Sequence, residues 1–281
     1  MSVQDLVQQA ALSLSAAERR VAEVVVRHPQ AVAFGTVAEL AHSSGSGAAT
    51  VVRLAVKLGF DGFSALQAAV QDELTQQLRP AAARIKELAR HDVLGRTLQR
   101  EFSNLQATFD AVDRAAYDRT VEVLATARRV GFLSGDASRG VAIQCVEELA
   151  YLRDDVELID GNPVVVGRQL SRLGTDDLVV AIDLRRYDQW VVDAVGELDR
   201  GAVPHVAITD SRLSPLALAS CEVFVVGADA VGPFDSHVAT LAFLGALSAS
   251  VAERLKVSAT ERLERVEALW SSNGALKLGP A

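Results

Sequence analysis

Five short apolar runs in the second half of the chain, separated by segments of helical character, constrain the fold most. The runs are RVGFLS (129–134), VELID (156–160), LVVAID (178–183), HVAITD (205–210) and EVFVVG (222–227). Helices are predicted near 138–153, 163–173, 188–200, 214–220, 234–255 and 258–271. This alternation favours right-handed crossovers and a parallel sheet that is buried on both faces. The sequence therefore predicts a three-layer αβα sandwich with a five-stranded parallel sheet.

The first part of the chain has apolar residues at three- and four-residue spacing and no strand signal. Helices are predicted over 15–28, 36–45, 47–59 and 63–78. Ser15 and Glu18 are spaced as a capping box, Pro29 ends the first helix, and Gly59 occupies the position favoured for a left-handed C-cap. Strands are absent from this prediction, so the N-terminal part is expected to be all-α.

Pro80 begins a charged, amphipathic connection in which helices are predicted over 81–90 and 92–112. It is expected to combine a linker with a packing helix. We therefore divide the chain into an N-terminal helical domain (1–79), a helical linker (80–112) and a C-terminal α/β domain (113–281).

Composition places the chain among soluble globular proteins, since 49% of its 281 residues are hydrophobic and 23% are charged. Its longest apolar stretch, 238–252, is shorter than the roughly 18 residues of a membrane span. The N-terminus lacks the positive charge of a secretory signal, so a cytoplasmic protein without a membrane partner is expected. Cys145 and Cys221 are predicted to be reduced core residues, and no Cys/His spacing indicates a metal or another cofactor.

The net charge of −8 argues against nucleic-acid binding only for the chain as a whole, because a small basic face can lie within an acidic protein. Residues 1–80 contain six Lys/Arg and seven Asp/Glu, so the acidic excess lies mainly in the rest of the chain. The N-terminal domain is nearly neutral and can present a small basic face.

A short helix, a Ser/Gly turn and a helix of about three turns match a helix-turn-helix in size and order. On the third helix, Thr50, Arg53 and Lys57 share one face, and the opposite, buried face is predicted to be Val51, Val52, Leu54, Ala55 and Leu58. The predicted DNA contacts are Ser46, Gly47, Ala48, Ala49, Thr50, Arg53 and Lys57. Spacing alone leaves open an ordinary helical bundle with a few exposed cations.

The N-terminal segment also resembles the N-terminal domain of the RpiR (MurR/RpiR) family of bacterial transcription regulators. The resemblance is carried by LSAAERRVA, TVAELA, ATVVRLAVKLGF and GFSALQ, in order and without gaps within 14–74. It implies an operator in double-stranded DNA as partner, bound by a homodimer or homotetramer. One departure is that Ser46 and Gly47 replace the hydrophobe and serine that usually precede the recognition helix. Glycine is a weaker N-cap than serine by roughly a few tenths of a kcal/mol.

Regulators of this family usually carry a C-terminal SIS domain, a sugar isomerase-like sandwich that binds phosphosugars. The predicted order of strands and helices agrees with it, and 208–225 resembles an SIS segment with a strand, Asp and Ser, and a short helix. The ligand motifs depart from the family. After the first strand, SGDASRG (134–140) retains Ser138 of the usual Gly-x-Gly-x-Ser turn but has Asp136 in place of a glycine. After the third strand, DLRRYD (183–188) replaces the usual Ser-x-Ser-Gly-x-Thr.

Arg185, Arg186 and Tyr187 therefore stand where small hydroxyl donors are usual. Arginine suits carboxylate and phosphate ligands, which favours a site for an anionic effector. The alternative is a salt-bridged loop that closes an empty site, with Asp136, Asp183 and Asp188 as internal partners. The candidate effector-binding residues are Ser134, Asp136, Ser138, Arg139, Asp183, Arg185, Arg186, Tyr187, Asp235 and Ser236. Asp235 or Ser236 is also a candidate N-cap of the following helix.

An enzymatic role is not expected. His237 is the one histidine near the presumed cleft, and Glu147 and Glu148 lie on a helix where a solvated face is the default. The leading interpretation is a DNA-binding regulator whose SIS-like domain senses a small anionic metabolite, such as a phosphosugar or sugar acid. The alternatives are a sugar-phosphate isomerase and an effector-independent DNA-binding protein with a degenerate SIS domain.

Overall fold

The computed structural model describes residues 3–27, 29–77, 80–86, 92–212, 214–218 and 222–275. Its contacts divide the chain between Arg84 and Ile85 into two compact units. Cys221, His28 and His91 lie outside the described residues.

The described part of the N-terminal unit is helical. Its helices are α1 (Val3–Ala10), α2 (Ala16–Arg27), α3 (Pro29–Phe34), α4 (Val37–Ser43), α5 (Ala48–Lys57) and α6 (Phe63–Gln77), followed by α7 (Ala81–Lys86) at the boundary. The four predicted helices correspond to α2, α4, α5 and α6, with ends shifted by one or two residues. Neither α1 nor α3 was predicted. Pro29 begins α3, since proline suits the first turn of a helix.

Local hydrogen bonds explain where the helices of this unit begin and end. The backbone N–H of Ser15 donates to Glu18 Oε2 at 2.8 Å, and the Glu18 N–H donates to Ser15 Oγ at 3.4 Å, which confirms the capping box. Gly59 has φ +91°, and its N–H donates to the carbonyl of Val56 at 3.0 Å, as expected of a left-handed C-cap. The buried centre of the unit includes Leu40, Leu54 and Leu66.

The C-terminal unit contains five strands, and the predicted fold is confirmed. Its helices are α8 (Val93–Asp110), α9 (Arg114–Thr126), α10 (Arg139–Leu152), α11 (Pro163–Leu170), α12 (Gln189–Arg200), α13 (Val238–Arg254) and α14 (Lys256–Asn273). Its strands are β1 (Val130–Ser134), β2 (Val156–Ile159), β3 (Leu178–Ile182), β4 (His205–Thr209) and β5 (Glu222–Val225). All pairs are parallel, in the order β2-β1-β3-β4-β5.

Some predicted elements differ from the structure. The helix expected at 214–220 is wrong where the chain is described, because 214–218 forms turns and loop. α9 was not predicted, and α13 begins at Val238 rather than near residue 234. α8, expected to belong to a linker, lies in the C-terminal unit and packs against α13.

Alternation along the strands builds two core layers on the sheet. Phe132, Val180 and Ile208 lie in the cluster that includes residues of α10 and α13. Leu133, Val179 and Ala207 lie in the opposite cluster with residues of α11 and α12. Because β1 stands between β2 and β3, the order of connections reverses there. Ligands of such sheets bind beyond the carboxyl ends of the strands at this switch point.

Cys145 on α10 is a free, buried thiol, as predicted, and burial raises its pKa to about 12. Among the described helices, none is long and apolar enough to cross a membrane alone. α13 and α14 satisfy that length and composition only as a pair, which is bent by 102°.

Candidate functional site

The turn between α4 and α5 is held in place by a side chain from α2. Arg20 Nε donates to the carbonyl oxygen of Ser44 at 3.2 Å, and Arg20 Nη2 donates to that of Gly45 at 3.3 Å. Gly45 has φ +56°, which a glycine adopts without steric cost. A capping box between Thr36 and Glu39 begins α4. These contacts fix the direction in which α5 leaves the turn.

The first turn of α5 presents small residues. Gly47 is the N-cap without a side-chain hydrogen bond, and Ala48 and Ala49 are exposed. Thr50, a predicted DNA contact, is 7% exposed, and its Oγ1 accepts a hydrogen bond from Arg53 Nη2 at 3.1 Å. Arg53 itself is exposed. Thr50 therefore positions the Arg53 guanidinium instead of sharing its exposed face.

The exposed face of α5 differs from the prediction. Val52 was expected to be buried but is 41% exposed, and Val56 is 59% exposed. Together with Ala49 and Arg53, they follow three- and four-residue spacing and form one face of the helix. Sequence reasoning missed the two valines because an apolar residue on an amphipathic helix is normally assigned to the core.

Lys57 forms an ion pair and a hydrogen bond within the N-terminal unit. Its Nζ lies 2.8 Å from Glu18 Oε2 and 3.1 Å from the carbonyl oxygen of Ser13. The hydrogen bond from Lys57, together with those from Ser15, lowers the pKa of Glu18 to about 2. The predicted role of Lys57 at the DNA backbone thus competes with an internal ion pair.

In the C-terminal unit, the loops after β1 and β3 are joined through Asp183. Its buried carboxylate accepts the backbone N–H groups of Leu184 at 2.9 Å and Asp188 at 2.7 Å. A Cβ on Gly135 would lie only 2.4 Å from Asp183 Oδ1, so a side chain does not fit there. Burial raises the pKa of Asp183 to about 6 in spite of these two hydrogen bonds.

A second carboxylate accepts a hydrogen bond from a backbone N–H at the beginning of the segment that leads into α10. The backbone N–H of Asp136 donates to Asp188 Oδ2 at 2.7 Å. Ser138, just before α10, is fully buried, and its Oγ has no hydrogen-bond partner within the described ranges. Backbone N–H groups before a helix are the usual donors to a bound anion, and here one of them holds a carboxylate of the chain.

Arg185 forms ion pairs, but not with the expected partners. Its guanidinium contacts Asp229, and its Nη1 lies 3.3 Å from Asp235 Oδ1. The expected partners Asp136, Asp183 and Asp188 were wrong, because Asp183 and Asp188 accept backbone N–H groups instead. The side chain of Arg185 is 17% exposed, so this arginine is largely covered.

The backbone conformation of Arg185 explains the direction of its side chain. Its φ is +56°, and its N–H donates to Asp210 Oδ1 at 2.8 Å. The Tyr187 hydroxyl donates to the same oxygen at 2.8 Å. Burial, together with the nearby Asp210, raises the pKa of Tyr187 above its ordinary value. Tyr187 therefore supports the loop as a neutral donor.

Arg186 differs from Arg185. It is exposed, and its side chain has no partner among the residues that the structure describes. Its N–H donates to the carbonyl oxygen of Leu184 at 2.7 Å, which orders the backbone of the loop. Of the two adjacent arginines, Arg186 is the one whose charge remains available to a ligand.

Other predicted residues have separate roles. Arg139 Nη2 donates to Asp160 Oδ2 at 2.6 Å, and Ser134 is buried at the end of β1. Ser236 Oγ donates to Glu101 Oε2 at 2.7 Å and accepts the N–H of Val238 at 3.2 Å. Neither Ser236 nor Asp235 is the N-cap of α13.

His237 holds that N-cap position, and it makes no side-chain cap hydrogen bond. Burial lowers the pKa of His237, which favours the neutral imidazole, and its Nδ1 has no partner within the described part of the chain. In the same part of the chain, no cluster of three or more His, Cys, Asp or Glu side chains is arranged to hold a metal ion.

A cavity of about 370 Å³ lies beside α8. The described residues that line it are Arg96, Gln99, Arg100, Ser103, Ala230 and Val231. Arg100 Nη1 is 3.4 Å from Asp229 Oδ2, so Asp229 links this cavity to Arg185. Two arginines and two neutral polar side chains suit an anionic group. The sequence prediction missed the cavity because α8 was assigned to the linker.

Comparison with known proteins agrees with this architecture. Residues 1–77 match the helix-turn-helix domain of the rpiR family, and residues 146–250 match the SIS domain. The transcriptional regulator HexR of Pseudomonas aeruginosa is 28% identical over 264 residues, which cover 90% of each chain.

Two solved structures share the fold. The sugar isomerase domain of an RpiR transcription factor from Sphaerobacter thermophilus has a TM-score of 0.60 at 25% identity, covering 63% of this chain and 99% of that one. The NanR protein of Vibrio vulnificus, solved with ManNAc-6P, has a TM-score of 0.57 at 21% identity, covering 96% and 98%. The chain therefore belongs to the RpiR family of helix-turn-helix transcriptional regulators and carries a C-terminal SIS domain.

Proposed function

We propose that this regulator binds its operator through the exposed face of α5 and senses a small anion at the carboxyl edge of its SIS-domain sheet. Occupancy of the sensor would favour one arrangement of two paired chains and so change the spacing of their α5 helices on DNA. A homodimer or homotetramer is the form that such a mechanism requires.

Recognition of DNA is assigned to Arg53, Val52 and Val56. An exposed guanidinium is suited to the acceptors of guanine in the major groove, and exposed valine methyl groups are suited to the thymine methyl group. Gly47, Ala48 and Ala49 allow a close approach at the start of the helix. Lys57 contributes less in this proposal, because it is bound to Glu18.

The test is binding to an operator selected from a random library, measured by fluorescence anisotropy. Arg53→Ala is expected to weaken specific binding by at least about fivefold, because a base contact contributes about 1–3 kcal/mol. Arg19→Ala removes the same charge from an exposed position on α2 and serves as the matched control. Equal affinities of Arg53→Ala and the wild type would rule out α5 as the reading helix.

Effector sensing rests chiefly on one observation, the Asp188 carboxylate bound to the Asp136 amide between the ends of β1 and β3. This carboxylate has the charge and the geometry of an anion bound before a helix. An anionic effector would displace Asp188 from that amide. The charge of the effector would then be shared with Arg186, which has no internal partner within the described residues.

The residue types favour a ligand that carries a phosphate or carboxylate, such as a phosphosugar or a sugar acid. Arginine binds such groups in a bidentate manner, whereas the small hydroxyls usual in this fold are missing from 183–188. Arg185 is assigned a structural role, because it neutralises Asp229 and Asp235. The sequence left open whether the arginines bind a ligand or form a salt-bridged loop. In this proposal Arg186 has the first role and Arg185 the second.

A thermal-shift screen with inorganic phosphate, sugar phosphates and sugar acids tests this assignment. Any anion that raises the melting temperature of the wild type should have a smaller effect on Arg186→Ala, with affinity lost by roughly tenfold to a hundredfold for a charge-assisted hydrogen bond. Arg168→Ala, which removes an exposed arginine on α11, is the matched control. Asp188→Asn should strengthen anion binding, because it removes the competing charge.

The same screen separates the alternatives. Loss of the shift in Arg100→Ala, with Arg186→Ala unaffected, would move the ligand site to the cavity beside α8. Turnover of an aldose or ketose phosphate would support the isomerase alternative. A wild type that responds to no anion would support a SIS domain that acts without an effector.

A further inference from the structure

The cavity beside α8 is lined by one polar face of that helix. The members of this face, here called the polar row, are Arg96, Gln99, Arg100 and Ser103. Spacings of three and four residues place all of them on the same side of a helix. Ala230 and Val231, from the loop after β5, complete the described lining. Among these residues, a single helix therefore supplies every polar side chain of the cavity.

Hydrogen bonds hold the loop after β5 against α8. Asn104 Nδ2 donates to the carbonyl oxygen of Asp229 at 2.7 Å, and the Asp229 N–H donates to Asn104 Oδ1 at 3.3 Å. The Gly227 N–H donates to Thr108 Oγ1 at 2.8 Å. A Cβ on Gly227 would lie only 2.7 Å from the Cα of Asn104, so the helix and the loop approach too closely for a side chain there. The two parts of the cavity lining are thus held in place before any ligand binds.

The positive charge of the polar row is only partly neutralised inside the domain. Arg100 Nη1 lies 3.4 Å from Asp229 Oδ2, but Asp229 also contacts Arg185. One carboxylate therefore serves two guanidinium groups. The neighbouring carboxylate of Glu101 is directed elsewhere, since it accepts the hydroxyl of the buried Ser236. The side chain of Arg100 is 51% exposed, so it is accessible to an additional anion.

The chemistry of the lining favours a phosphate monoester. Two guanidinium groups can bind the oxygens of a dianionic phosphate through paired hydrogen bonds. The side-chain amide of Gln99 has no hydrogen-bond partner among the residues that the structure describes, and its N–H groups can donate to the same phosphate. Ala230 and Val231 provide an apolar surface for the uncharged carbon atoms of the ligand. The volume of about 370 Å³ lies within the roughly 300–1,000 Å³ that is usual for small-molecule sites.

The cavity is separate from the effector site proposed at Asp188. Asp188 is the N-cap of α12, whose buried residues belong to the core layer on one face of the sheet. α8 packs against α13, whose buried residues belong to the core layer on the other face. The two places are therefore next to helices on opposite faces of the sheet.

We propose that the cavity beside α8 is a second anion site, which binds a phosphate monoester through Arg96, Gln99 and Arg100. The bound phosphate replaces Asp229 at Arg100 and leaves Asp229 to Arg185. This inference goes beyond the proposed function, in which the cavity is only an alternative position for one effector. It does not depend on DNA binding or on Arg186.

The first experiment counts bound phosphate by equilibrium dialysis of the full-length protein with radiolabelled inorganic phosphate at constant ionic strength. It is carried out in an Arg186→Ala background, which weakens the effector site. One saturable phosphate per chain is expected to remain in this background. Adding Arg96→Gln/Arg100→Gln should weaken its binding by at least about tenfold, as expected for the loss of charge-assisted hydrogen bonds. The matched control, Arg168→Gln/Arg265→Gln, removes two exposed arginines from α11 and α14 and should leave the binding unchanged.

A second variant keeps both arginines of the cavity. Ser103→Glu adds a carboxylate to the polar row, where it competes with phosphate for the guanidinium groups, and should weaken phosphate binding by a similar factor. Ala115→Glu adds the same charge to an exposed position on α9 and serves as its control. Circular dichroism should show the wild-type fold in all of these variants.

Two outcomes would overturn the second site. One is the absence of saturable phosphate binding in the Arg186→Ala background, and the other is binding that both cavity variants leave unchanged. The proposed effector site fails in a different way. If Arg96→Gln/Arg100→Gln alone, with Arg186 intact, lost all anion binding, the result would support the cavity and contradict the effector site at Asp188.

Discussion

Replacing Arg185 with alanine removes the cation that neutralises Asp229 and Asp235 at the carboxyl edge of the sheet. Removing one partner of a fully buried pair costs about 3–5 kcal/mol. The side chains of Arg185 and Asp235 are 17% and 16% exposed, but Asp229 is 52% exposed and remains solvated. We therefore expect a loss of about 2–3 kcal/mol for Arg185→Ala, less than the fully buried limit. The melting temperature should fall by about 4–12 °C at this chain length.

The variant Arg185→Gly distinguishes the contribution of the Arg185 side chain to stability from that of its backbone conformation. Both variants lose the ion pairs, but glycine relieves the positive φ of +56°, which costs a non-glycine residue about 1–2 kcal/mol. The expected order of stability is wild type, then Arg185→Gly, then Arg185→Ala. Urea unfolding monitored by circular dichroism measures these differences, and Arg186→Ala is the control that should keep wild-type stability. If Arg185→Ala is as stable as the wild type but no longer responds to any anion, Arg185 is the ligand contact and the division of roles proposed here is wrong.

Three further predictions concern buried groups. Gly135→Ala should destabilise the protein by about 1–3 kcal/mol, because its Cβ would overlap the Asp183 carboxylate, whereas Gly140→Ala, which meets open space, should not. Burial raises the pKa of Asp183 from 3.8 to about 6, so this group favours the folded state below pH 4 and loses that contribution as the pH rises through 6. The unfolding free energy of the wild type minus that of Asp183→Asn should therefore fall by about 2 kcal/mol between pH 4 and pH 7. Lys57→Met removes the main cause of the lowered pKa of Glu18, whose stabilising contribution is lost as the pH falls from 4.5 toward 2 in the wild type. Acid unfolding of Lys57→Met should accordingly begin at a higher pH.

The parallel sheet could be predicted because its central strands β1, β3 and β4 are buried along their whole length and appear as short, mostly apolar runs. The helices of the N-terminal unit could be predicted where local signals mark their ends, as at Ser15 and Gly59. α9 was missed because Asp113, its N-cap, lies only a few residues after the end of α8, so two helices follow each other with almost no loop. The short helix expected near 214–220 failed because similarity to a segment does not determine its backbone.

The candidate site could be located but not assembled from the sequence. Arg185 and Arg186 are adjacent, and no local feature distinguishes them. What separates their roles is Asp229, which lies 44 positions further along the chain, just after β5, and contacts Arg185 only in the folded domain. The exposure of Val52 on α5 and of Leu94 on α8 could not be predicted, for the same reason. An apolar pattern indicates which residues share a face but not what covers that face.

The central claim is that an anion at the carboxyl edge of the SIS domain alters operator binding. The direct measurement is the affinity of the wild type and of Arg186→Ala for a selected operator, with and without the anion that gives the largest thermal shift. We predict a change of at least about fivefold in the wild type, the lower end of usual coupling energies, and none in Arg186→Ala. An operator affinity that stays the same in the wild type, at anion concentrations that saturate the thermal shift, would contradict the account.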